Sequence, residues 1–244
     1  MRDLLEAITR HRWIGRGREF GESVMGEPGT VGSSPLGDYF QHHTEGPGIW
    51  KWEHYFQIYE RHFAKFVGRP VNILEIGIYA GGSLPMWRQY FGAQCHVYGI
   101  DIEPACKAYA TEYITVSIGD QADRKFWQSL NLPPIDIVID DGGHQPEQMI
   151  VTLEETLPMM SPEGVYLCED IHGSDNEFLA YTYGLIQRLN AARFVEGDAA
   201  LNVQSVGLQR AVHGIHAYPF CVVIERGGYE NLKAPRRGSE WQPF

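Results

Sequence analysis

Val138-Ile139-Asp140-Asp141-Gly142-Gly143-His144 joins a run of β-branched residues to two acids, two glycines and a histidine. The run from Ile135 to Ile139 predicts a short buried strand. In an open parallel sheet, ligands bind beyond the carboxyl ends of the strands, so the acids fall where a site would form. A second acidic pair, Glu169-Asp170, closes the next predicted strand, Val165-Tyr166-Leu167-Cys168. Neighbouring strands that end in carboxylates on one rim make a cation site, and His144 beside it can move protons. The pattern points to an enzyme.

Outward from this strand the chain alternates. Strands are expected over 71–78, 96–102, 114–118, 135–139 and 165–168, and helices over 83–90, 104–110, 123–130, 147–159 and 176–190. Strands alternating with helices imply a parallel sheet covered on both faces. The tail breaks the rhythm: 214–218 and 221–225 have a connection too short for a parallel crossover, so they predict an antiparallel hairpin. The expected fold is α/β, Rossmann-like and doubly wound, with a mostly parallel sheet ending in that hairpin.

Ahead of the sheet, Leu4, Leu5 and Ile8 predict a short helix over 2–12. Residues 15–48, rich in glycine, serine and proline, predict a long lid or oligomer arm. Trp50 to Val67 predicts a helix whose aromatic side packs on the core or walls a ligand. The expected division is thus 1–49, helix and lid or arm, and 50–244, the catalytic domain.

The 244 residues suffice for one large α/β domain. A net charge of −11 with no basic cluster argues against nucleic acid. Cys95, Cys106, Cys168 and Cys221 are scattered, which suits a reduced cytoplasmic protein better than a disulfide scaffold or a zinc site. The first residues lack the apolar run of a signal peptide, and no stretch suits a bilayer.

The turn after the first strand reads Leu74-Glu75-Ile76-Gly77-Ile78-Tyr79-Ala80-Gly81-Gly82-Ser83. Its glycines admit close backbone approach by a ligand, yet the G-x-G-x-x-G fingerprint of dinucleotide sites is absent. Glu75 would repel a pyrophosphate and suits a cationic ligand. Asp101, ending the second strand, is placed for ribose hydroxyls. Asp120 and Gln121, after the third, can meet an adenine edge. A ligand with an adenine, a ribose and a positive charge but no phosphate is described by S-adenosylmethionine, and poorly by NAD.

With these segments the sequence resembles the class I S-adenosylmethionine-dependent methyltransferases, whose seven-stranded sheet the closing hairpin fits. Leu74-Glu75-Ile76-Gly77 with Gly81-Gly82-Ser83, Tyr98-Gly99-Ile100-Asp101, Gly119-Asp120-Gln121, Asp140-Asp141-Gly142-Gly143-His144 and Glu169-Asp170 carry the likeness, over roughly residues 50–227. Among that superfamily it looks most like the magnesium-dependent O-methyltransferases that modify antibiotic sugars. The resemblance implies Gly77 and Ser83 in the cofactor turn, Asp141, Glu169 and Asp170 as Mg²⁺ ligands, and His144 as general base. Asp140 is expected to face the methionine end of the cofactor. It also implies a homo-oligomer. Several of these enzymes carry a large extra N-terminal domain, where this sequence has its glycine-rich lead-in.

Methyl transfer to a sugar hydroxyl needs that very weak acid deprotonated. A divalent cation can chelate adjacent hydroxyls and stabilise the alkoxide, and Mg²⁺ prefers oxygen ligands. The expected activity is O-methylation of a small-molecule acceptor, a sugar of a glycosylated natural product. A phenol- or catechol-directed enzyme, an NAD-dependent dehydrogenase and a non-catalytic cofactor-binding protein are the alternatives. His172 is a competing base; His42, His43 and His54 are expected to be solvated or packed on aromatics, and Cys168 to be a core residue.

Overall fold

Five strands, β1 (Val71–Ile76), β2 (Cys95–Asp101), β3 (Ile114–Ile118), β4 (Ile135–Asp140) and β5 (Met160–Cys168), run parallel in the order β3-β2-β1-β4-β5. Beyond two short strands, β6 (Arg193–Phe194) and β7 (Leu201–Gln204), the chain returns as the hairpin β8 (Val212–Tyr218) and β9 (Cys221–Arg226). β9 pairs antiparallel with β5 and β8 antiparallel with β9, giving a seven-stranded sheet in the order β3-β2-β1-β4-β5-β9-β8. This is the expected Rossmann-like sheet with its closing hairpin. A second sheet of β6, β7 and β10 (Asn231–Ala234) was not anticipated. The computed structural model describes residues 2–27, 29–30, 32–191, 193–194, 201–235 and 237–238.

The central strands are buried because both faces are covered. On one face Tyr59 and Phe63 of α3 (Tyr55–Phe63), Trp87 and Phe91 of α4 (Ser83–Phe91) and Leu36 of α2 (Pro35–His42) pack on Ile73, Ile137 and Leu167. On the other, Trp127 of α5 (Arg124–Ser129), Met149 and Leu153 of α6 (Pro146–Thr156) and Phe178 of α7 (Glu177–Leu189) pack on Leu74, Val138 and Tyr166. Burial of each such large apolar side chain contributes about 1.5–3 kcal/mol. Capping sets several boundaries: the Asp123 and Asn176 side chains accept from Lys125 N and Phe178 N, closing the first turns of α5 and α7. The short helix α8 (Gly207–Ala211) leads into β8.

The chain forms two compact units, Met1–Gly32 and Ser33–Phe244. The first carries α1 (Arg2–Ser23), a 22-residue helix that runs well past the expected end near residue 12. Residues 33–48 belong to the second unit and are not a continuous loop either. Ser34 caps α2 by accepting from Gly37 N at 3.0 Å, and Pro35 occupies the first turn. The expected helix over 50–67 begins only at Tyr55, which leaves 48–52 as a strap without regular structure. No helix among the described residues is long and apolar enough to cross a membrane.

Candidate active site

The carboxyl ends of β1 to β5 open onto a cavity of about 850 Å³. Its walls come from the turn 76–83, Asp101 to Glu103, Gly119 to Gln121, Asp141 to His144 and Glu169-Asp170, closed over by the strap residues Gly48 to Trp52. The strap is held by a hydrogen bond from Gly82 N to Gly48 O at 3.1 Å. A Cβ on Gly82 would lie 2.3 Å from Pro47 O, so only glycine admits this contact. Gly77 is more constrained still: its φ is +89°, and a Cβ there would fall 1.9 Å from Asp141 O.

At the acidic end, one ligand atom each of Asp141, His144 and Asp170 lies within 4.8 Å of the others. His144 Nε2 is 3.8 Å from Asp170 Oδ2, and His144 Nδ1 is buried with no hydrogen-bond partner. His144 (φ 56°), Asp170 (φ 54°) and the cavity residue Tyr79 (φ 49°) are left-handed non-glycine residues. Such backbone costs on the order of 1–3 kcal/mol each and persists where the surroundings enforce it. Enforcement at Asp170 is visible: Oδ1 accepts from Trp52 Nε1 and from Tyr55 Oη, both at 2.9 Å. His172 Nε2 stands 3.8 Å from the same oxygen.

Glu169 turns inward. Its Oε1 accepts from Tyr59 Oη at 2.6 Å and its Oε2 from Lys51 Nζ at 2.9 Å. Lys51 also donates to Asp141 Oδ2 at 2.6 Å and stands 3.9 Å from Glu75 Oε1. Burial alone would lower the Lys51 ammonium, but Asp141, Glu169 and Glu75 outweigh it and hold it above its ordinary value. With one ammonium among three acids, burial pushes the Glu75 carboxyl up to about 7. The convergent set is therefore two of the three expected carboxylates plus the imidazole, with Glu169 one ammonium behind. An oxygen-rich set with one imidazole and no thiolate fits a hard divalent cation.

On the other side of the cavity the strand-end acids are partly engaged. Asp101 Oδ2 accepts from Ile78 N and Tyr79 N at 2.8 and 3.0 Å, and Oδ1 from Glu103 N at 2.8 Å. Asp120 accepts from Ala122 N. Ser83 faces inward, donating to Glu75 Oε2 at 2.9 Å.

Two expected cofactor contacts are engaged within the protein. Gln121 lines the cavity, but its amide is held there: Nε2 donates to Asp140 Oδ1 and Thr152 Oγ1, and Oε1 accepts from Gly143 N. Asp140 does not face the cavity: at 2% exposure it accepts from Gln121 and from Tyr166 Oη. Successive strand residues point to opposite faces, so Asp141 reaches the rim only because Asp140 is turned inside. Burial, opposed by those hydrogen bonds, pushes Asp140 up to about 6.

Trp52, Tyr55 and Tyr59 lie on the aromatic side expected to pack on the core or wall a ligand, whereas Lys51 was not anticipated as a site residue. The available signal was a lone basic residue between two tryptophans, Trp50-Lys51-Trp52.

Residues 74–171, which include the carboxyl ends of all five parallel strands at the cavity, match the family model described as a methyltransferase domain. This chain carries a class I methyltransferase domain. The domain is 30% identical over 212 residues to the 8-demethyl-8-alpha-L-rhamnosyl tetracenomycin-C 2'-O-methyltransferase of Streptomyces olivaceus, covering 77% of this chain and 56% of that protein. It is 33% identical over 194 residues to the demethylmacrocin O-methyltransferase of Streptomyces fradiae, covering 69% and 47%. The chain thus spans about half the length of the curated relatives it matches. Among solved structures, the MycE methyltransferase of mycinamycin biosynthesis, in complex with Mg, S-adenosylhomocysteine and mycinamycin VI, superposes with a TM-score of 0.66. The identity is 24%, over 80% of this chain and 54% of that one. This likeness shows that the methyltransferase domain has the same fold.

Proposed function

We propose that the chain is an S-adenosylmethionine- and divalent-cation-dependent O-methyltransferase acting on a sugar hydroxyl of a glycosylated natural product. The observation that carries this reading is the convergence of Asp141, His144 and Asp170 in a cavity that the glycine turn and Asp101 also line. The relatives' names support the choice of acceptor: both are O-methyltransferases, and one is named for a rhamnosyl tetracenomycin.

Three of about four acceptor positions on the Asp101 carboxylate are taken by backbone amides. The amides fix its orientation and leave capacity for a ribose hydroxyl. Gly77 and Gly142 remove side chains that would block the cavity floor; a Cβ on Gly142 would lie 1.9 Å from Gln121 Oε1. Glu75 places a buried carboxyl beneath the turn, a polar group that suits a cationic sulfonium ligand.

Asp141 and Asp170 would hold the cation, and Glu169 stands behind Asp141, joined to it through the Lys51 ammonium. Bound there, a divalent ion supplies Lewis acidity that lowers the pKa of a chelated hydroxyl. His144 is assigned the proton: an imidazole nitrogen can accept it, and Asp170 at 3.8 Å stabilises the imidazolium that forms. Such general-base help is worth about 10²- to 10⁴-fold. Trp52 and Tyr55, both on Asp170 Oδ1, leave Oδ2 toward His144.

The test is turnover of S-adenosylmethionine with a panel of rhamnosylated and other deoxysugar-bearing polyketides beside catechols. Mono-methylation of a glycoside, abolished by EDTA and restored by Mg²⁺, is expected. Turnover of catechols alone, or thermal stabilisation by NADH and not by S-adenosylhomocysteine, would overturn the assignment.

A further inference from the structure

Lys51 is a cation already built into the acidic end of the cavity. Its side chain is 3% exposed, and its ammonium is shared by Asp141 and Glu169 at 2.6 and 2.9 Å, with Glu75 at 3.9 Å. Depth separates the two halves of this cluster. Glu169 and Glu75 are 1% and 0% exposed, whereas the side chains of Asp141, Asp170 and His144 are 19%, 24% and 36% exposed. The ammonium therefore lies on the inner side of Asp141, and the convergent group with His144 and Asp170 on the outer side. Withdrawing it would leave two almost fully buried carboxylates without a counter-charge, a strongly unfavourable arrangement. Glu75 Oε1 has no hydrogen-bond partner among the described residues, and the ammonium at 3.9 Å is its counter-charge.

We propose that Lys51 is a positioning residue for the cation site, fixing Asp141 beside Glu169 and toward His144 and Asp170. The inference rests on the reading of that acidic end as a cation site. Without the ammonium, Asp141 and Glu169 repel each other across the space it filled. Relief comes by rotating Asp141 away, which removes a negative ligand from the convergent group. A lysine that instead merely occupied the cation's seat would have the opposite effect, since removing it would tighten cation binding.

The sign is measurable without turnover. Mn²⁺ binding to wild type and to Lys51→Met is followed by calorimetry and by the electron paramagnetic resonance of the free ion, with S-adenosylhomocysteine titrated into both. Mn²⁺ binding weakened about 10- to 100-fold, with S-adenosylhomocysteine binding retained, is the expected result. Mn²⁺ affinity that is unchanged or higher overturns the inference. Should Lys51→Met not fold, the Mn²⁺-loaded wild-type crystal structure decides. An ammonium still within about 3.2 Å of both carboxylates supports positioning, and one swung out of the cluster refutes it. Wild type that binds no Mn²⁺ removes the cation site and this role together, whereas equal binding by both proteins removes only the role of Lys51.

Discussion

Gly77→Ala isolates the contact on which the cavity floor is built. Gly77 has φ +89°, and an added Cβ would sit 1.9 Å from Asp141 O and 2.6 Å from Asp141 C. Backbone of that hand costs an L-residue about 1–2 kcal/mol. The clash is with the main chain of the segment leaving β4, so relief requires moving Asp141 itself, an overpacking cost of about 1–3 kcal/mol. Gly68→Ala is the control, because Gly68 has φ +74° but open space around its Cβ position. It should incur the conformational cost alone. For a chain of this size each kcal/mol moves Tm by roughly 2–4 °C, so a loss of about 3 kcal/mol in Gly77→Ala lowers Tm by about 6–12 °C, against about 2–8 °C for the control. Thermal unfolding by circular dichroism reads both, and S-adenosylhomocysteine calorimetry should show weakened binding in Gly77→Ala only. Equal Tm values for the two variants, with unaltered cofactor affinity, would refute the close approach of Gly77 to Asp141.

His144→Ala should lower the rate of methyl transfer by about 10²- to 10⁴-fold while S-adenosylhomocysteine still binds; a change below tenfold would assign the proton to another group, His172 first. Glu75 bears on pH: its carboxyl is raised by burial from 4.5 to about 7, so the folded protein holds a proton that the unfolded chain releases. That contribution to stability is complete below pH 4.5 and is lost as pH rises through about 7. In the metal- and cofactor-free protein, Glu75→Gln should therefore flatten the pH dependence of urea unfolding over this window, and an unchanged slope would contradict it. Asp140→Asn places an amide donor against the Gln121 and Tyr166 donors and should cost about 1–3 kcal/mol in urea unfolding, whereas a cost near zero would mean that the buried carboxyl is not the acceptor described.

The sheet was legible because its strands are short β-branched runs separated by helix-length segments, and a two-faced burial leaves that pattern intact. The N-terminal region was less so. Gly15, Gly17 and Gly21 lie within α1 although each disfavours a helix by about 1 kcal/mol relative to alanine, so propensity ended the helix too early. Ser34-Pro35 before α2 is a helix-start signature that the surrounding glycines obscured. At the site, Asp141, His144 and Asp170 could be named from strand ends alone. Which way a strand-end side chain turns is a tertiary property, and for that reason Asp140 and Gln121 were assigned to the ligand and belong to a buried network. Tyr55 and Tyr59 show why the choice between core and ligand wall for α3 was a false one. Their rings are buried in the core while their hydroxyls hold Asp170 and Glu169. Lys51 escaped because its partners lie 90 and 118 residues away.

The most direct test is anomalous diffraction from crystals grown with Mn²⁺ and S-adenosylhomocysteine. The account predicts one manganese peak within coordinating distance of Asp141 and Asp170, beside His144 and facing the sulfur of the bound product. Density for the product in the cavity with no manganese between those two carboxylates at millimolar Mn²⁺ would contradict it.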